Sequence, residues 1–256
     1  MSLFLTIDQG NSAAKMALWE GSELLKVSIE EHLSIDDVAR FIAPATRVEL
    51  VLYCSVAGRG QELVAGMAAM ARKVVRLRSD MRLPLVIDYG TPGTLGVDRI
   101  AAAVGAMALY PSTSLLVVDA GTAVTYDAVS ADGHFMGGNI APGINMRLEA
   151  LHRFTARLPR VKAPRELNPE EFLGHDTASA MVNGAVWGVV GAITYYLQRL
   201  PAHTRVVMTG GWARELSKLC NFEVTVESNL VSIGLNRIIL CLLYTSPSPR
   251  DRSLSR

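Results

Sequence analysis

Two short stretches built on one plan, 111 positions apart, constrain this chain's fold more than any other feature. LTIDQGNSAAK (5–15) runs an apolar, strand-like segment into Asp8, places Gly10 two positions on, and closes on Lys15. LVVDAGTAVTYD (116–127) repeats this with Asp119, Gly121 and Thr122. An offset close to half of a 256-residue chain points to a duplicated fold in which each copy ends a strand on an aspartate at a glycine turn. The flanking elements agree. LFLTID, KMALWEG and SELLKVSIE read as strands, and SIDDVARFI as a helix capped by Ser34. VELVLYCSVA follows as a strand covered on both faces, then GQELVAGMAAMARK as a helix and KVVRLR as a strand. The second half supplies LLVVDAG, AVTYDAV and FMGGNIAPG as strands, with a turn at Ala131-Asp132-Gly133. INMRLEALHRFTARL and TASAMVNGAVWGVVGAITYYLQRL are helices, followed by strand RVVMTG, helix GWARELSKL and strand FEVTVES. Strands alternating with helices predict an α/β protein. Two halves are expected, at 1–110 and 111–240, with a cleft between them.

Composition narrows the function classes. Half the residues are apolar and 19% are charged, which suits a packed core and not a disordered chain. A formal net charge of +1 gives no long-range field toward nucleic acid or an anionic membrane, so neither is expected as a partner. Cys54, Cys220 and Cys241 lack metal-ligand spacing and read as small buried residues of a reducing compartment. MVNGAVWGVVGAITYYL (181–197) is the most membrane-like stretch, but Asn183 and its many small residues suit a buried helix better. The expected location is cytoplasmic. From Cys241 on, LLYTSPSPRDRSLSR breaks all pattern, and 241–256 is expected to be a non-native or disordered tail.

The turns carry the chemistry. A strand ending in Asp, followed by Gly and a small polar residue, exposes backbone N–H groups that suit phosphate oxygens. The Asp8 carboxylate suits a hydrated Mg²⁺, and Lys15 a phosphate charge. An ordinary β-hairpin, with Asp and Asn chosen for turn geometry, reads the first stretch equally well. The second aspartate turn shifts the balance, because two such turns across a cleft bracket a nucleotide triphosphate and its cations. GGNIAPG (137–143) and TGGWA (209–213) add glycine turns, the latter suited to packing against an adenosine. In YGTPGTLGVDR (89–99), Asp98 and Arg99 fall at the start of the helix IAAAVGAMALY, where the unpaired amides favour an anion.

The order DQGNSAAK, TLGVDR, DAGTAVTYD, GGNIAPG, HDTASAMVNG and TGG closely resembles the type III pantothenate kinases of the acetate and sugar kinase/Hsp70/actin superfamily. The likeness runs from about residue 3 to 240, with TLGVDR its most specific part. It implies two actin-like (ribonuclease H-like) halves, transfer of the γ-phosphoryl group of ATP to the primary hydroxyl of pantothenate, a need for Mg²⁺ and for K⁺ or NH₄⁺, and a homodimer. By the same resemblance, Asp98 is the general base, and Tyr89, Gly96, Val97, Arg99 and Thr177 meet pantothenate. Asp8, Gln9, Gly10, Asn11, Ser12, Ala13, Ala14 and Lys15 hold the ATP phosphates, Thr122 touches the nucleotide, and Asp119 binds the monovalent cation. Thr177 also reads as a helix N-cap beside Asp176, and the helix at 178–197 as either a dimer interface or a core helix. Ser12 stands where the family usually carries Thr, and Gln9 where a smaller or apolar residue is common. A non-catalytic relative that binds nucleotide or pantothenate, and a kinase of another small substrate, are the competing readings. The apparent base Asp98 speaks against the first, and TLGVDR with Tyr89 against the second.

Overall fold

The computed structural model describes residues 2–45, 47–55 and 61–244, so the tail expected at 241–256 lies outside the described residues from position 245. The chain divides into two units. One holds residues up to Leu109 together with the segment from Leu230, and the other holds Tyr110–Asn229.

In the first unit, β1 (Leu3–Gln9) pairs antiparallel with β2 (Ala14–Glu20), which pairs antiparallel with β3 (Glu23–Glu30). β4 (Val48–Ser55) lies parallel to β1, and β5 (Ala71–Arg76) parallel to β4, giving the order β3-β2-β1-β4-β5. Phe4, Leu5, Thr6 and Ile7 are all buried, as a strand covered on both faces requires. Leu5, Ile7, Met16, Leu18, Val51 and Tyr53 form one core with Val38 and Ile42 of α1 (Ile35–Ile42) and Met67 of α2 (Gln61–Met67). Ser34 caps α1 through a capping box with Asp37, as expected.

A two-residue strand β6 (Val86–Ile87) leads toward α3 (Val97–Leu109), which packs with α7 (Leu230–Tyr244) on the same sheet. Glycine permits this crossing. A Cβ on Gly234 would stand 1.8 Å from the Ala101 carbonyl oxygen, and one on Gly105 2.2 Å from that of Leu230. That packing ties α7 to the first unit. The helix also runs through Tyr244, past the pattern break at Cys241. The helix expected over 60–73 is shorter than its propensity suggests, because residues 71–76 are captured by pairing with β4.

The second unit repeats the first strand for strand. β7 (Leu115–Ala120), β8 (Ala123–Val129) and β9 (His134–Pro142) form an antiparallel meander. β10 (Arg205–Thr209) lies parallel to β7, and β11 (Val224–Val226) parallel to β10. The order β9-β8-β7-β10-β11 reproduces β3-β2-β1-β4-β5, with the same parallel and antiparallel pairings. α4 (Ile144–Phe154), α5 (Thr177–Leu197) and α6 (Ala213–Ser217) complete the unit. α5 is long and apolar enough to cross a membrane by length and composition, yet Met181, Val182, Ala185, Val186, Val189, Val190 and Ile193 lie in the unit's core with Leu116, Val118 and Tyr126. Each fully buried aliphatic side chain of this kind contributes about 1.5–3 kcal/mol.

Candidate functional site

In both units the aspartate is the penultimate residue of the central strand. Asp8 opposes Lys15 across the β1–β2 hairpin, and Asp119 opposes Thr125 across β7–β8. The first turn closes with a hydrogen bond from the Gly10 amide to the Ala13 carbonyl at 3.0 Å, leaving Asn11 and Ser12 exposed. It is therefore a hairpin, as the simpler reading had it, and it ends beside a carboxylate and an ammonium group. Asp8 and Lys15 are half-buried, whereas Ala14 is fully buried and meets the core.

Asp98 lies in the first turn of α3, with one carboxylate oxygen accepting the Arg99 amide at 2.9 Å. Gly96 makes room for it, since a Cβ there would stand 2.5 Å from that oxygen. Arg99 is a buried cation, 5% exposed, with its guanidinium over the Tyr89 ring at 5.9 Å. Pro92–Thr94 form a single 3₁₀ turn between Tyr89 and Gly96.

Cys54 links the Asp8 turn to the Asp98 helix. β4 sets Cys54 opposite Asp8 in the parallel register, and the residue is fully buried. Burial pushes its thiol pKa well up, with further upward pushes from the Asp8 and Asp98 charges and from a hydrogen bond to Asp8. Both carboxylates act on that one buried thiol. Residue spacing alone reads Cys54 as a small buried core residue. Its proximity to Asp8 comes from the β1–β4 register, which residue spacing does not encode.

In the second unit, three glycine turns converge on Asp119 and Thr122. The Gly121 amide donates to the Ala123 carbonyl at 3.0 Å, and the Gly143 amide to the Thr122 carbonyl at 3.1 Å. A Cβ on Gly143 would stand 2.5 Å from the carbonyl oxygens of Gly121 and Thr122. One on Gly210, whose φ is +92°, would stand 2.5 Å from an Asp119 carboxylate oxygen. Arg165 holds the Gly210–Trp212 turn from outside. It donates to the Gly211 carbonyl at 2.7 Å and stacks over the Trp212 ring at 4.4 Å. Thr177 lies at the first, exposed turn of α5, and Asp176 is the N-cap, in a capping box with Ser179. The Thr177 hydroxyl is therefore not the cap. Backbone and side-chain hydrogen bonds with Ser179 hold the Asp176 carboxyl below its usual range.

The donor chemistry fits the groups expected there. Asp8 offers the hard oxygen ligands a divalent cation takes, with solvent access for the waters such a cation retains. Asp119 presents the same kind of oxygen atoms in a cradle of glycines that a side chain would fill.

A family model described as type III pantothenate kinase matches residues 4–199. A protein of that name from Porphyromonas gingivalis (strain ATCC BAA-308 / W83) is 38% identical over 244 residues, spanning 93% of this chain and 98% of its own. Among solved structures, a Baf family protein from Campylobacter jejuni aligns with a TM-score of 0.62 at 23% identity, over 94% of this chain and 99% of that one. The activator of the 2-hydroxyisocaproyl-CoA dehydratase from Clostridium difficile, with bound ADPNP, aligns at 0.54 and 11% identity, over 100% and 98%. At these identities the structural neighbours speak for the fold alone, that of actin-like ATPases and sugar kinases.

Proposed function

The chain belongs to the type III pantothenate kinase family, and from that premise we propose how its own residues divide the work. The reaction is ATP-dependent phosphorylation of pantothenate in coenzyme A biosynthesis, giving 4'-phosphopantothenate and ADP. Phosphoryl transfer asks a protein mainly for positioning and charge neutralisation. Asp98 accepts the proton of the pantothenate primary hydroxyl as its oxygen attacks the γ-phosphorus and the ADP oxygen departs. The Arg99 amide, donating to the same carboxylate, fixes its orientation. The Arg99 guanidinium, stacked on Tyr89, meets the pantothenate carboxylate. Gly96 and Val97 present backbone to the substrate, and Thr177 a hydroxyl.

Residues 8–15 hold the phosphates, with Lys15 supplying positive charge, and Thr122 touches the nucleotide. Mg²⁺, when bound, neutralises phosphate charge, and Asp8 is the residue of this chain suited to hold it. Asp119 takes K⁺ or NH₄⁺. Equal rates with Na⁺ in their place would remove that role. The reading extends to a cytoplasmic homodimer, which sedimentation at enzyme concentrations tests by mass.

The observation that supports this assignment is the family match over residues 4–199 together with Asp98 in the first turn of α3, its carboxylate accepting the Arg99 amide at 2.9 Å. Asp98→Asn tests it. The variant should keep its fold and its calorimetric affinity for pantothenate while kcat falls about 10²–10⁴-fold. Undiminished kcat takes Asp98 out of the mechanism.

A further inference from the structure

The Cys54 thiol takes no part in the steps above, yet it is the buried side chain set directly against Asp8. In a parallel pair, opposed residues project from the same face, and Cys54 opposes Asp8 at the end of β1. The register therefore brings the thiol and the Asp8 carboxylate to one face of adjoining strands, with Cys54 fully buried. A fully buried thiol is a small neutral donor and not an accessible nucleophile or redox centre. The second unit carries an independent version of the same arrangement. There the parallel neighbour of Asp119 is Thr209 on β10, 4% exposed. Cysteine and threonine differ in branching and polarity, but both are small and both bring one donor hydrogen. A small donor side chain thus stands in register with both aspartates.

We propose that Cys54 is a positioning residue for Asp8, its S–H group holding the carboxylate in one orientation for the Mg²⁺-nucleotide. The proposal rests on the reading of Asp8 given above. It predicts a loss confined to the metal-dependent part of nucleotide binding, because pantothenate meets other residues. A packing role alone would instead lower stability and leave the Mg²⁺ dependence unchanged.

The test compares Cys54→Ala and Cys54→Val, which lack a donor, with Cys54→Ser, which keeps one. Valine fills the volume, so the comparison stands even if the alanine variant is unstable. Binding of a non-hydrolysable ATP analogue is measured calorimetrically with and without Mg²⁺, alongside KM for pantothenate. Without the donor, affinity in Mg²⁺ should fall about fivefold, the scale of one weak hydrogen bond to a charged group, and affinity without Mg²⁺ should hold. The serine variant should stay within about twofold of the parent, its hydroxyl donating in the thiol's place. Parent-like affinity in the valine variant, or a serine variant as weak as valine, overturns the proposal and leaves Cys54 a packing residue. Asp8→Asn separates the two readings. If it binds the Mg²⁺-nucleotide as the parent does, the role of Asp8 itself fails. If it binds weakly while Cys54→Val does not, only the positioning claim falls.

Discussion

At the residue scale, the site depends on side chains that are absent as much as on those present. Gly96 sits two positions before Asp98, and any Cβ there would meet the carboxylate at 2.5 Å. The flexible partner is the reactive group itself, so the collision is relieved by moving the proposed base and not by unfolding the helix. Gly96→Ala should therefore leave thermal stability nearly unchanged and lower kcat by about tenfold or more, the usual cost of a misplaced catalytic group. A variant with parent kcat would show that the Asp98 position is not critical. The sequence made Asp8, Asp98 and Asp119 legible because each belongs to a local pattern of strand, turn or helix start. Cys54 and Thr209 were not legible in that way. Their neighbourhood to the aspartates follows from strand register, and local sequence does not fix which residues face each other across a parallel pair.

At the scale of elements, close approach and capping set the stability. Gly234 lets α7 cross α3 with backbone against backbone, where neither side has a flexible atom to give. Gly234→Ala should cost roughly 2–3 kcal/mol in denaturant unfolding. Gly191 in α5 has no atom within 4 Å of its missing Cβ, so Gly191→Ala should instead gain about 0.5–1 kcal/mol from helix propensity. Similar effects from both substitutions would contradict the crossing argument. The cap of α5 makes a separate prediction. Hydrogen bonds from Ser179 depress the folded-state pKa of Asp176, so its charge contributes stability above the unfolded carboxylate pKa and loses it as pH falls through the depressed value. Asp176→Asn keeps an acceptor, so its Tm deficit reads the charge alone. That deficit should be present at neutral pH and close as pH falls through and below the ordinary Asp range. A constant deficit across this range would assign the effect to something other than ionisation. Periodicity predicts α5 as a helix with Thr177 as its cap beside Asp176, whereas the backbone makes Asp176 the cap.

At the scale of the whole molecule, duplication is the organising fact. Two units share one strand order and one pairing pattern, and each carries its aspartate next to the end of its central strand. That much could be read from the chain. The return of α7 to the first unit could not, because an apolar helical period says that a face is buried without saying against which sheet. The kinase assignment is tested most directly by ADP release from the purified chain with MgATP and K⁺, in the presence and absence of pantothenate. ADP formation should depend on pantothenate and match 4'-phosphopantothenate mole for mole. ADP release indifferent to pantothenate, or none from folded protein, would contradict it.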